Sequence, residues 1–171
     1  MNLYCDLKGL TPKEIERFCA EELRQKPGSG TRLAIWLFRK KVEDFDTMKD
    51  LSKLFRARLK ERCTISSLAV KQRTTAEDGT EKLLYHLADG NTIEGVLIPG
   101  PDRLTLCVST QVGCASGCGF CLTGAGGFVR NLTTAEIVNQ VFAAWKLTNG
   151  IPINNIVLMG TGEPLSNYEA V

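Results

Sequence analysis

The rhythm of apolar and polar positions changes twice along the chain. In the first part apolar residues recur at helical spacing: Ile15, Phe18, Cys19 and Leu23 share one face, Leu33, Trp36 and Leu37 form a second set, and Leu51, Leu54, Phe55 and Leu59 a third. Thr11, Pro12 and Glu14 mark a helix start, with a threonine N-cap, proline in the first helical position and a glutamate that can reach back to the cap amide. Pro27-Gly28-Ser29-Gly30 then breaks the run. The pattern predicts three short helices packed as a small bundle.

From Ser66 the runs become short and extended, over 67–73, 82–87 and 92–98, joined by the turn sequences Glu77-Asp78-Gly79 and Ala88-Asp89-Gly90-Asn91. This predicts an antiparallel meander. Beyond Pro99-Gly100-Pro101 come a strand from Leu104 to Val108, a glycine- and cysteine-rich loop, a helix from Thr134 to about Leu147 and a strand from Asn155 to Met159. That order is one βαβ unit, and its helix opens with a capping box, Thr133 to Glu136, and closes at Asn149-Gly150. The expected organisation is a helical domain over 1–64, a β linker over 65–100 and an α/β part over 101–171. Two parallel strands and one helix cannot bury both faces of a sheet, so the last part is expected to be an incomplete portion of a longer protein. The alternative is a small domain that dimerises over its open edge.

Composition narrows the class. The chain has 171 residues, 43% of them hydrophobic and 23% charged, enough for a folded core. No apolar stretch approaches the roughly 20 residues of a membrane span, and the first residues lack a secretion-signal pattern, so a cytoplasmic location without membrane attachment is expected. Residues 1–100 carry 18 Lys+Arg against 15 Asp+Glu, and 101–171 carry 3 against 4, so the positive excess lies in the first part. Lys49, Lys53, Arg56, Arg58, Lys60 and Arg62 cluster around the third helix and could contact RNA phosphates; the plainer reading is a solvated, mixed-charge surface.

The chemistry lies in two loops. Cys114-Ala-Ser-Gly-Cys118-Gly-Phe-Cys121 places three thiols at C-x3-C-x2-C spacing directly after a strand, too close together for a disulfide framework. A four-iron, four-sulfur cluster held by three thiolates keeps its fourth iron open to another ligand. Gly113, Gly117 and Gly119 are expected to let the loop wrap and to aim backbone amides at the sulfurs. The alternative is a zinc site with Cys107 as fourth ligand, the single histidine, His86, being distant in sequence. The second loop, Met159-Gly160-Thr161-Gly162-Glu163-Pro164, follows the other strand at the same carboxyl edge, where open α/β sheets bind ligands. Its glycines allow close backbone approach, and Glu163 offers a carboxylate to an ammonium group. An iron open to N and O ligands beside such a carboxylate suits the amino-acid end of S-adenosylmethionine.

The stretches GNTIEGVLIP, RLTLCVSTQVGCASGCGFCLTGAGGFVRNLTTAEIVNQV and NNIVLMGTGEPLSNYEAV resemble the radical S-adenosylmethionine enzymes, and more closely the dual-specificity ribosomal RNA and transfer RNA adenine C2-methyltransferases. The similarity is specific from about Leu83 to the last residue and looser through IWLFRKKVEDFDTMKDLSKLFRARL. It implies a mixed α/β chain in which an RNA-engaging helical domain and a small β linker precede the beginning of a partial (β/α) barrel. It implies that Cys114, Cys118 and Cys121 ligate a [4Fe-4S] cluster, that Phe120 is the aromatic usual before the third cysteine, and that Gly162 with Glu163 contacts the amino group of S-adenosylmethionine.

In that family a deoxyadenosyl radical takes hydrogen from a methyl group carried on a cysteine near the C-terminus, and the methylene radical adds to C2 of adenine. The resemblance implies that Cys107 is the second reactive cysteine, which resolves the enzyme–RNA adduct, and that Glu94 aligns with a carboxylate proposed as proton acceptor. Read from the residues alone, Cys107 is a small buried strand residue and Glu94 an exposed strand glutamate. The carrier cysteine is absent, so the chain as given is expected not to turn over. Ribosomal RNA, transfer RNA and an electron-donating reductase are the implied partners, with a monomer expected at full length. Lys26-Pro-Gly-Ser-Gly-Thr-Arg32 departs from the family's usual basic, glutamine-containing segment. The rival readings are adenine C8 methylation by similar chemistry and a non-catalytic zinc or RNA-binding module.

Overall fold

The computed structural model describes residues 4–171. They form two compact units, the described residues up to Ser66 and Ser67–Val171. In the first, β1 (Cys5–Asp6) pairs in parallel with β2 (Cys63–Thr64), and between them lie α1 (Pro12–Glu21), α2 (Ser29–Ala34), which runs on as a π-helical turn at Ile35–Arg39, and α3 (Lys53–Arg62). The first helix begins as its sequence requires: the Glu14 N–H donates to Thr11 Oγ1 at 3.3 Å, and the Thr11 N–H donates to Glu14 Oε2 at 2.8 Å. Ile15, Cys19, Leu33, Leu37, Phe55 and Leu59 are buried together, each large aliphatic side chain contributing about 1.5–3 kcal/mol.

The segment at Lys26–Arg32 has a local physical role. Gly28 and Thr31 N–H groups donate to the Glu16 carboxylate at 2.6 and 2.7 Å, so α1 caps the start of α2. The two helices touch at Gly30, where a Cβ would lie 2.4 Å from Glu16 Cα. On α3 several cations are engaged within the unit. Lys60 Nζ lies 2.7 Å from Asp46, Arg62 reaches Glu22 at 3.2 Å, and Arg56 and Arg58 donate to the Asp46 and Leu23 carbonyls.

The second unit holds a five-stranded sheet in the order β3 (Ala69–Thr75), β4 (Glu81–His86), β5 (Thr92–Pro99), β6 (Leu104–Cys107), β9 (Asn155–Val157). The first four strands are antiparallel neighbours, and β6 pairs in parallel with β9. The meander and the βαβ unit are therefore one sheet, since β5 continues into β6 through Val96↔Cys107 and Leu97↔Leu106. The crossover helix α5 (Thr134–Trp145) lies on the core side with Leu83, Tyr85, Ile93, Leu97 and Leu106. Gly95 leaves space for the Tyr85 ring, whose hydroxyl donates to the Gln140 carbonyl at 3.3 Å. Among the described residues no helix is long and apolar enough to cross a membrane.

Between β6 and α5 the chain does more than loop. Strands β7 (Gln111–Gly113) and β8 (Phe128–Asn131) pair antiparallel and enclose the cysteines together with the short helix α4 (Leu122–Ala125). Neither of these strands carries the largely apolar run by which residues 104–108 and 156–159 were legible in the sequence. Gly113 closes this enclosure at φ +73°, because a Cβ there would meet the Gly127 carbonyl oxygen at 2.0 Å.

Candidate functional site

The βαβ order places both loops at one edge of the sheet, since β6 and β9 run parallel and each delivers its loop from its carboxyl end. The two segments are joined by backbone as well as side chains. Thr110 and Gln111 N–H groups both donate to the Thr161 carbonyl, at 2.9 and 3.1 Å, and the Gly160 N–H donates to the Val108 carbonyl at 3.0 Å. The Thr161 N–H donates to Ser109 Oγ at 2.8 Å, and the Glu163 N–H donates to Gln111 Oε1 at 2.9 Å. Gly160 and Gly162 permit this approach, because a Cβ on either would lie under 3 Å from Ser109 or Gln111.

The anchoring segment is itself fixed from below. Gln140 of α5 is fully buried and bonds both backbone groups of Ser109, accepting its N–H and donating to its carbonyl, each at 2.8 Å. Asn167 donates to the Thr110 and Leu132 carbonyls at 2.8 and 2.9 Å. A buried polar residue is tolerated only when satisfied, and these amides find partners on both strands and turn. Ser109, Gln111, Asn131, Gln140 and Asn167 were not legible as site residues, because nothing in their spacing separates them from ordinary polar positions.

Cys118 is exposed and Cys114 and Cys121 half-buried on the enclosed loop, with the Cys121 N–H donating to the Cys118 carbonyl at 2.9 Å. The Cys121 thiol is held below its ordinary range by N–H groups of Gly124 and Thr123 at the start of α4. The amides that serve this sulfur therefore come from Thr123 and Gly124, rather than from the expected Gly113, Gly117 and Gly119. Three thiols within eight residues, one of them with its pKa lowered by backbone N–H groups, are a donor set of the kind an iron–sulfur cluster takes. Among the described residues no group of three or more histidine, cysteine, aspartate or glutamate side chains stands close enough to hold a metal ion. Phe120 is 95% exposed at the loop.

Glu163 turns one oxygen inward to accept the Leu165 N–H at 3.0 Å, capping the turn at Pro164–Ala170. Cys107 and Glu94 share the sheet face opposite the core: Val96 pairs with Cys107, and Glu94 is two residues from Val96. Cys107 is buried, and burial raises its thiol pKa even though the Met159 N–H donates to the sulfur. Glu94 is half exposed, with Lys82 Nζ 3.1 Å away. His86 lies at the end of β4, away from the loops in sequence and pairing Thr92. Cys5, Cys19 and Cys63 belong to the first unit, and burial pushes the Cys19 and Cys63 thiols up to about 12.

Known proteins match both units. Residues 5–65 match the family model described as the ribosomal RNA large subunit methyltransferase N-terminal domain. The dual-specificity RNA methyltransferase RlmN of Syntrophotalea carbinolica is 52% identical over 97% of this chain and 44% of its own length. The probable enzyme of the same name from Thermotoga neapolitana is 50% identical over 94% of this chain and 44% of its own length. A crystal structure of a radical SAM methyltransferase from Sphaerobacter thermophilus superposes with a TM-score of 0.84 at 42% identity, over 97% of this chain and 49% of that one. The chain spans slightly less than half the length of the curated relatives it matches.

Proposed function

We propose that the chain, which matches the N-terminal part of dual-specificity RNA methyltransferases, serves radical S-adenosylmethionine-dependent methylation of C2 of adenine in 23S ribosomal RNA and transfer RNA. One observation carries the reading: the cysteine loop and the Gly162-Glu163 turn leave neighbouring parallel strands and are bonded to each other through Ser109 and Gln111. Residues 101–171 are then the beginning of a partial (β/α) barrel, 65–100 its β lead-in, and 1–64 the RNA-engaging domain.

In this reading Cys114, Cys118 and Cys121 are the residues that would hold a [4Fe-4S] cluster. When bound, the cluster supplies the electron that cleaves S-adenosylmethionine at its sulfonium. The residues of the chain do the positioning. Glu163 presents its outer carboxylate oxygen to the ammonium group, and Gly162 lets the backbone approach it. Phe120 stands on the cluster loop, available to the bound nucleotide. Cys107 is kept as a neutral thiol by burial, in reserve for resolving the adduct, while Glu94 shares its sheet face and accepts the proton released from the adenine ring. The carrier cysteine and further strands lie in the part of the relatives that this chain does not cover, an electron-donating reductase completes the set of partners, and the protein works as a cytoplasmic monomer.

Anaerobic incubation of the full-length gene product with RNA, S-adenosylmethionine and a reductant should yield 2-methyladenosine by nucleoside mass spectrometry. Formation of 8-methyladenosine, or of no methylated adenine with an intact cluster, would overturn the assignment.

A further inference from the structure

Gln111 is 2% exposed and uses both ends of its side chain. Its Oε1 accepts the Glu163 N–H at 2.9 Å, and its Nε2 donates to Asn131 Oδ1 at 2.8 Å. Its backbone N–H meets the Thr161 carbonyl at 3.1 Å, so one residue grips the turn on both sides of Gly162. A hydrocarbon side chain of the same shape would fill the space without the expense of desolvating an amide. The amide is required only if the turn must be held in one orientation. Glu163 depends on such a hold, because its carboxylate bonds within its own turn, to the Leu165 N–H, and follows wherever that turn points.

We infer that Gln111 is a positioning residue, which fixes the Glu163 backbone and with it the direction from which the carboxylate meets the ammonium group of S-adenosylmethionine; the inference rests on the function proposed above. Asn131 completes the device from β8, holding the far end of the Gln111 amide while its own Nδ2 donates to the Ser166 carbonyl at 3.3 Å. The strand that enters the cysteine loop and the carboxylate turn are in this way set relative to one another by the Gln111 side chain.

The test uses the full-length protein encoded by the gene, with its cluster reconstituted anaerobically, and the variants Gln111→Met, Gln111→Glu and Asn131→Ala. Gln111→Met should raise the Kd and KM for S-adenosylmethionine about tenfold, the loss of one buried hydrogen bond, while kcat at saturation and the cluster spectrum stay within about twofold. Amide exchange at Glu163 should quicken by a similar factor. Gln111→Glu keeps an acceptor for the Glu163 N–H and should recover part of the affinity; Asn131→Ala should weaken binding less, with no further loss when combined with Gln111→Met. Wild-type affinity in Gln111→Met, or loss of cluster and affinity together, overturns the inference. A wild-type protein that holds its cluster and binds no S-adenosylmethionine instead overturns the functional reading, and Glu163 exchange still reports whether Gln111 holds the turn.

Discussion

Gly162 and Gln111 pack with no room for a methyl group between them: a Cβ at position 162 would lie 2.6 Å from the Gln111 Cβ. Gly162 also sits at φ +108°, a conformation that side-chain-bearing residues rarely adopt. Two independent requirements therefore make the same position glycine, and both arise from the docking of the turn onto the strand that enters the cysteine loop.

Gly162→Ala should accordingly displace the turn and destabilise the second unit by about 1–3 kcal/mol. Chemical denaturation followed by circular dichroism checks this, and an unchanged midpoint would mean that the turn is not seated as described.

The thiols should differ in reactivity when the chain is free of metal. Two backbone N–H groups lower the pKa of Cys121 and Cys118 is exposed, whereas burial raises the pKa of Cys19, Cys63 and Cys107. Alkylation at neutral pH, read by peptide mass spectrometry, should modify Cys118 and Cys121 at least about tenfold faster than the three buried cysteines. Equal rates for Cys107 would remove the argument that it is held as a neutral thiol.

Arg130 of β8 joins three elements, reaching Asp89 at 2.6 Å and both oxygens of Glu136 at 2.9 and 2.8 Å. Burial pushes the Glu136 carboxyl up, but Arg130 and Thr133 more than offset it, and the net shift is downward; hydrogen bonds from Arg130 and Asn91 hold Asp89 well below the carboxylate range. Depressed carboxylates stabilise the folded chain at neutral pH, and that contribution is lost as pH falls below about 4. Arg130→Met should lower stability at pH 7 by about 1–2 kcal/mol and flatten the acid slope, measured as urea midpoints across pH 3–7. An acid slope equal to that of the wild type would contradict the linkage.

In the first unit, Gly30→Ala places a methyl against the α1 backbone, 2.4 Å from Glu16 Cα. The expected loss is about 1–3 kcal/mol, or roughly 5–15 °C in the Tm of that unit. Scanning calorimetry that shows no change would mean the helices can separate freely at this contact.

Much of this was legible in the sequence. The capping boxes at Thr11 and Thr133 gave both helix starts because their partners are local, three residues apart. The strands of the meander and the parallel pair followed from short extended or apolar runs bounded by turn signals. What was not legible depends on distant partners. Pairing of β7 with β8 joins Gln111 to Asn131 across the cysteine loop, and the Gln140 amide reaches Ser109 from 31 positions away. The basic face of α3 was visible as charge, but its ties to Glu22 and Asp46 required the fold. The three cysteines were plain from spacing, whereas the source of the amides that serve Cys121, namely Thr123 and Gly124, depends on where α4 begins.

Electron paramagnetic resonance of the anaerobically reconstituted, dithionite-reduced protein, recorded before and after adding S-adenosylmethionine, bears most directly on the site. A four-iron signal that depends on Cys114, Cys118 and Cys121 and changes shape when the nucleotide is added is the predicted result. A protein that binds zinc in place of iron, or a cluster signal that the nucleotide leaves unaltered, would contradict it.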